Sequence, residues 1–425
     1  MNEDFIQYLW KYKKFDLKNL RTTEEQCLIL HRVGEHNTQS AGPDFFNALI
    51  SIADQKWAGN VEVHYKSSDW YVHQHETDKA YDNVILHVVW EDDIHIYRQD
   101  NTSIPTLQLK NYIDKHLLLQ YQKLYSTSNT NWISCERLIS KVPDFIMNHW
   151  QERLYIERLE QKSIVITSLL KNSTNNWEAT LFKLLAKNFG LKVNSEAFLS
   201  LANSIDFSVI QKCSTALHTL EALFLGQAGL LNKDIDIPYA GKLRKEYEFL
   251  KNKFQLQTNG IIPMQFFRLR PANFPTLRLA QLAALYYKNT NFFHNSIKST
   301  SIDETYKLFE IETTNFWNTH YTLEKQSKYR KKRLSRAFID LIVINTIIPF
   351  RFAYAKSKGY HDDKVFNLIQ ELSFEKNSII DNFTALKVPV HHVMHSQALL
   401  QLKTKYCEQK ACLQCAVGNY LLNQD

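Results

Sequence analysis

The stretch GPDFFNALISIADQKWAGNVEVHYKSSDW, residues 42–70, decides the reading of the fold. It contains two strand-like runs, 45–52 and 57–66, rich in β-branched and aromatic residues and separated by a turn near Asp54 and Gln55. Side chains alternate across a strand. Glu62, His64 and Lys66 therefore share one face, while Val61, Val63 and Tyr65 take the other and point to a core. Asp44 follows a Gly-Pro turn at the mouth of the first run. In adjacent hairpin strands it can converge with Glu62 on one face.

Outward from this hairpin the pattern stays legible. Apolar positions at Phe5, Ile6, Leu9, Trp10 and Tyr12 predict a helix over 4–15. A strand is expected at 27–33, a loop at 34–43, and a buried strand at 83–90. Residues 95–98 could be the hairpin partner of that strand, across Asp92 and Asp93. A helix follows from 107 to about 125. The polar run Ser126, Thr127, Ser128, Asn129, Thr130, Asn131 is the expected domain boundary. Beyond it helical spacing dominates, for example at 150–170, 177–189, 214–231, 277–287, 302–317, 335–348 and 396–407. This order predicts an α+β protein. Residues 1–125 form a small α/β domain with a mixed sheet, and 132–425 form a large all-α region with a cysteine-rich end.

The 425 residues are 44% hydrophobic and 22% charged, enough apolar material for real cores. The net charge of +7 permits an anionic partner without demanding one. Only ten glycines occur, and Gly34, Gly42 and Gly59 fall close to the hairpin. Neither GxxxxGK[ST] nor GxGxxG is present, which argues against the usual nucleotide loops. The N-terminus lacks a basic segment followed by an apolar core, so no secretory signal is expected. The most apolar stretch, 337–350, is interrupted by Asp340, Asn345 and Pro349 and reads as a buried helix, not a bilayer span. A cytoplasmic location and no membrane partner are the expectation; the oligomeric state is not legible.

The candidate chemistry centres on the hairpin. Asp44 and Glu62 suit a hard divalent cation such as Mg²⁺ or Mn²⁺, and His64 or Lys66 can orient or deprotonate an attacking water. His73, His75, Asp78 and Tyr81 follow closely and would surround the substrate. His73 and His75 can also be a zinc pair, completed by His64 or Asp78, which makes a zinc-dependent hydrolase an alternative. In the helical part Arg268, Arg270 and Arg278 flank two prolines, with Thr276 placed to cap a helix, an arrangement suited to phosphate. A basic block that includes Lys331, Lys332 and Arg333 could meet nucleic acid. Cys407, Cys412 and Cys415 are spaced C-x4-C-x2-C, which points to zinc or an iron–sulfur cluster, with Cys135 or His395 as the fourth ligand. Cys27 and Cys213 sit in apolar surroundings and read as core.

Pro43-Asp44 followed by Glu62-Val63-His64 resembles the PD-(D/E)xK nuclease superfamily. The resemblance implies an α-β-β-β-α-β core of restriction-endonuclease type, a metal at Asp44 and Glu62, and phosphodiester cleavage. Histidine stands where lysine is usual; Lys66, on the same face, could substitute. The longer combination GPDF, GNVEVHYKSSDWYVHQH, YDNVILHVVW, RPANFPTLRLAQLA and SQALLQLKTKYC with CLQC resembles a family of bacterial proteins grouped as a domain of unknown function. That likeness implies one full-length architecture and no particular activity. The leading expectation is a metal-dependent phosphodiesterase acting on nucleic acid. A non-catalytic nucleic-acid-binding or scaffold protein with a degenerate nuclease fold is the other alternative.

Overall fold

The computed structural model describes residues 2–38, 40–125, 131–231 and 237–424. Most of the expected boundary at 126–131 lies outside them. The chain forms two compact units. The first comprises residues 1–150, 383–388 and 402–425; the second comprises 151–382 and 389–401.

In the first unit, helix α1 (Glu3–Tyr12) carries Glu3 and Asp4 in its first turn and Lys11 in its last, which suits the helix dipole. It buries Phe5, Ile6, Leu9 and Trp10. Phe5 stacks on Tyr121, from helix α3 (Lys115–Tyr125), with centroids 3.8 Å apart. The strands are β1 (Leu28–Arg32), β2 (Glu35–His36), β3 (Phe45–Ile52), β4 (Gln55–Lys66), β5 (Val84–Glu91) and β6 (Thr106–Gln108). They make one mixed sheet in the order β1-β3-β4-β5-β6, with β2 paired to β3. The β1, β3 and β4 strands are antiparallel. The pairs β4–β5 and β5–β6 are parallel.

A parallel pair needs a crossover. Here it is short: helix α2 (Asp69–Val72) and two 3-10 turns, His75–Thr77 and Lys79–Tyr81. Strand β5 is buried from Val84 through Trp90, as an interior strand covered on both faces should be. Gly59 sits where β4 passes β5. A Cβ there would lie 2.4 Å from Ile85 Cγ2 and 2.7 Å from the Asn83 carbonyl oxygen. Gly59→Ala is therefore expected to cost about 1–3 kcal/mol through overpacking, measured as a lowered denaturation midpoint with an unchanged m-value.

Two expectations give way here. The neighbour of β5 is not 95–98 but β6, in parallel. Ser67 Oγ donates to Asp92 Oδ1 at 2.7 Å and accepts from the Asp93 backbone N–H at 2.8 Å, which ties that turn to the end of β4. The helix expected from 107 begins at Lys115, because 106–108 are used as a strand. Asp114 Oδ1 accepts from the His116 N–H at 2.8 Å, as a helix cap does.

The second unit is helical. Helix α4 (Asp144–Lys171) spans the division at Trp150. It is followed by α5 (Trp177–Phe189), α6 (Leu191–Asn203), α7 (Phe207–Cys213), α8 (Leu217–Gln227), α9 (Pro238–Phe254) and α10 (Pro275–Lys288). Both α8 and α10 are buried along most of their length and form the unit's centre. The apolar stretch near 337–350 belongs to a helical run, 336–357, that is longer than its polar interruptions suggest. By length and composition this run could cross a bilayer, but 67% of its apolar window is buried inside the fold. It serves as a core helix, with a π-helical segment at Val343–Ile347.

Candidate functional site

The antiparallel register pairs Phe45 with Val61, which sets Asp44 opposite Glu62 at the next step. The Asp44 N–H donates to Glu62 Oε2 at 3.1 Å. Asp44 Oδ2 accepts from the Val63 N–H at 3.0 Å, and its Oδ1 accepts from Gln7 Nε2 at 2.9 Å. Val61 and Val63 are fully buried on the other face, as the alternation requires. The PD and ExH halves thus meet. Lys66 does not join them: it is exposed, at the far end of the strand beside Glu91.

The crossover brings imidazoles onto the same carboxylate. His64 Nε2 stands 3.5 Å from Glu62 Oε1, and His75 Nε2 stands 3.3 Å from it. His73 Nδ1 lies 3.1 Å from His64 Nε2. The donor atoms of His64, His73 and His75 all fall within 4.8 Å of one another. On the other side of the His64 ring, Nδ1 meets His87 Nε2 at 2.8 Å. His75 Nε2 is buried without a hydrogen-bond partner. Tyr81 stacks on the His75 ring at 3.7 Å between centroids, and Trp70 meets His75 and His87 edge-on.

Burial controls the ionisation of these groups. It pushes Glu62 up to about 8 and, with Glu62 alongside, Asp44 up to about 7. It lowers His64 and His87, with neighbouring imidazoles adding to the effect. Left to itself the cluster favours neutral forms. A bound cation reverses that preference, because it stabilises carboxylates and takes neutral imidazole as a ligand.

Four contributors escaped the sequence reading. Glu3, half-buried at the start of α1, is a third carboxylate near Asp44 and Glu62, and burial raises it to about 8. Gln7, one turn on, holds Asp44. His87 is a fully buried histidine in an otherwise apolar strand, which was a visible signal. Trp70 walls the cluster. Asp78, by contrast, is spent on its own turn, accepting from the Ala80 N–H at 2.9 Å.

The expected phosphate contacts belong to the second unit and divide by exposure. Arg268 and Arg270 are exposed. Arg278 is buried, bonded to Gln281 and Asn273 and lying over the Phe338 ring, so it is a packing residue. Thr276 donates to the Tyr321 carbonyl oxygen and caps nothing. Lys332 is buried with its ammonium 3.5 Å from the Tyr321 ring centre. Lys331 and Arg333 are exposed and share Glu312.

Cys135, Cys407, Cys412 and Cys415, all in the first unit, line one void. His395, the alternative fourth ligand, belongs to the second unit, where its Nδ1 accepts from the His391 N–H. Cys213 is buried as expected, but Cys27 is exposed, because it precedes β1 at a bridge to Arg21 and faces outward.

Residues 3–378 match the family described as Protein of unknown function (DUF2851). The chain belongs to that family. The match takes in every residue of the Asp44–His87 cluster and stops before Cys407, Cys412 and Cys415. No curated protein and no solved structure matches this DUF2851 chain.

Proposed function

We propose that the protein is a metal-dependent phosphodiesterase acting on nucleic acid, with one divalent transition-metal ion held by Glu62, His64, His73 and His75. The observation that supports this most is the spacing of the donor atoms. A tetrahedral ion with bonds of about 2.0–2.1 Å places its ligands roughly 3.3 Å apart; His73 to His64, His75 to Glu62 and His64 to Glu62 are separated by 3.1, 3.3 and 3.5 Å, and the three imidazole donors lie within 4.8 Å of one another. His75 Nε2 is buried and, though 3.3 Å from Glu62 Oε1, makes no hydrogen bond, which leaves its lone pair free for an ion. Three nitrogens and one oxygen suit Zn²⁺ or Mn²⁺ better than Mg²⁺, which prefers oxygen ligands. In this reading His64 is a ligand, not the group that handles water.

Bound there, the ion supplies a Lewis acid and an acidified water. The chain's own residues do the rest. His64 Nδ1 lies 2.8 Å from His87 Nε2; in this reading His64 donates its Nδ1–H to His87, which leaves His64 Nε2 free for the ion. Gln7 and the Val63 N–H hold the Asp44 carboxylate beside Glu62, where it can take a proton from water. The phosphodiester assignment is supported by the Pro-Asp and Glu-x-His halves meeting across β3 and β4, with β5 parallel to β4. That strand arrangement is compatible with the α-β-β-β-α-β order that the nuclease resemblance implies, although the crossover here is made of short turns. Exposed Arg268 and Arg270 would contact phosphates.

The test is cleavage of labelled single- and double-stranded DNA and RNA by protein stripped with chelator and reloaded with Mn²⁺, Zn²⁺ or Mg²⁺. Wild type is expected to cut with Mn²⁺ or Zn²⁺, and Asp44→Ala and Glu62→Ala to lose cleavage. Folded, metal-loaded wild type that cuts none of these substrates would overturn the phosphodiesterase reading. His87→Ala is expected to weaken metal binding by about 10–100-fold, the usual effect of losing a ligand's hydrogen-bond partner, read by competition with a chromophoric chelator.

A further inference from the structure

We infer that a basic and aromatic surface of the second unit binds single-stranded nucleic acid, stacking bases on Phe267 and Tyr329 and holding phosphates on the cations beside them. For its class of ligand the inference rests on the nucleic-acid reading above. Phe267 and Tyr329 are 76% and 69% exposed, and Phe267 is the most exposed large apolar side chain among the described residues. One exposed ring means little. Two rings set among cations, on segments that the fold holds in place, point to a ligand.

The first ring stands on a pinned turn. Asn194 of α6, itself buried, grips Gln265: its Oδ1 accepts from the Gln265 N–H at 2.7 Å, and its Nδ2 donates to the Gln265 carbonyl oxygen at 2.9 Å. Phe266 then packs on Phe274, with centroids 5.4 Å apart. The Leu269 N–H returns to the Phe266 carbonyl oxygen at 3.3 Å, so Phe267 and Arg268 occupy the two corners of the turn. Arg268 has φ 59, a left-handed conformation that a non-glycine residue keeps where its surroundings impose it. Its guanidinium lies 5.1 Å from the Phe267 ring centre.

The second ring stands on an irregular strap, 326–335. The Ser327 N–H donates to the Thr319 carbonyl oxygen at 2.7 Å and the Arg330 N–H to that of Asn318 at 2.8 Å. Further on, Lys332 and Leu334 turn inward while Lys331, Arg333 and Ser335 stay outside. Both segments are fastened to the first two turns of α10. Arg278 Nη2 donates to Asn273 Oδ1 at 2.7 Å, Thr276 donates to the Tyr321 carbonyl oxygen, and Gln281 Nε2 donates to that of Lys332 at 3.1 Å. Turn and strap therefore meet at one end of that helix. Glu312 takes up Lys331 and Arg333. Arg268, Arg270, Lys328 and Arg330 flank the two rings in sequence and are exposed.

This chemistry selects a single strand. A duplex stacks its bases internally and offers a protein phosphates and groove edges. A single strand offers open base faces, which an exposed ring can meet whatever the sequence. A bilayer surface would favour an amphipathic helix with one continuous apolar face. Here the rings sit on separate segments, each next to a cation.

The experiment is fluorescence anisotropy with labelled single-stranded DNA and RNA and the matching duplexes, beside co-sedimentation with phosphatidylserine vesicles. It uses full-length protein stripped with chelator, so that binding is read without cleavage. Wild type is expected to bind single strands at least about tenfold more tightly than duplexes at the same salt, and Phe267→Ala/Tyr329→Ala to lose at least about tenfold on single strands. Arg268→Gln/Arg330→Gln is expected to lower the slope of log affinity against log salt by roughly 0.7 for each cation removed. All four side chains are exposed, and unfolding curves check that the variants fold. Duplex bound as tightly as single strand would overturn the inference. So would an aromatic double variant that binds single strands like wild type, or binding to vesicles and to no oligonucleotide. Single-strand binding by protein that cuts nothing when reloaded with metal would uphold this surface and sink the phosphodiesterase reading. Metal-dependent cutting without single-strand preference would do the reverse.

Discussion

Stripped of metal and titrated with Zn²⁺ or Mn²⁺, His73→Ala/His75→Ala is expected to bind the ion at least about 1,000-fold more weakly than wild type, while unfolding at nearly the same denaturant concentration. The magnitude follows from the geometry. Losing a hydrogen-bond partner of a ligand already costs about 10–100-fold in affinity, and here two ligands are deleted outright. His64 and Glu62 alone would remain, having lost His73 at 3.1 Å and His75 at 3.3 Å respectively. The small stability cost follows from placement. His73 is exposed and His75 only half-buried, both at the rim of the crossover, and rim substitutions usually stay within about 0.5 kcal/mol. His75 also stacks on Tyr81, so a slightly larger loss is tolerable. Calorimetric titration beside an unfolding curve separates the two effects. A double variant that still binds the ion like wild type would show that the imidazoles are a packed aromatic cluster and not a ligand set.

The hairpin was legible because two local rules agree there. Alternation put Glu62 and His64 on one face, and a strand starting at Phe45 needs Asp44 beside it. What the sequence could not show was the crossover. Its turns have no strong periodicity, and they bring His73 and His75 back onto Glu62 through a parallel pairing of β4 with β5. The same blindness produced the false hairpin at 95–98: an Asp-Asp turn after a strand is compatible with a return, and only the contacts of Ser67 decide against it. His87 was readable in principle, as one titratable residue in a run that is otherwise apolar. Glu3 and Gln7 were not, because their helix reaches the site from forty residues upstream through packing of its opposite face. Buried cations were misjudged for a related reason. Arg278 and Lys332 look like phosphate contacts in a basic neighbourhood, yet each lies over an aromatic ring, where a long apolar stem lowers the cost of burial.

Trp70→Ala should give the largest loss of stability among substitutions around the site. Trp70 is fully buried and anchors a small second core with Tyr81, Val84, Ile96 and Ile104. Removing a buried tryptophan side chain costs about 3–5 kcal/mol, and its indole N–H also leaves the Tyr97 carbonyl oxygen, which it meets at 3.2 Å. The site feels the loss directly. Trp70 presses its faces and edges on His75, His87 and Tyr81 with centroids 5.4, 5.8 and 5.9 Å away. Without it the His75 ring has Tyr81 on one side and a cavity on the other, and His87 no longer holds His64 rigidly. Metal affinity is then expected to fall along with stability. Trp70→Phe keeps most of the buried area and loses only the N–H bond, so it should recover most of both quantities. Denaturation curves and metal titrations on the two variants check this together. If Trp70→Ala destabilises fully but binds metal like wild type, the imidazoles are positioned by the crossover backbone alone, and the aromatic wall belongs to folding, not to the site.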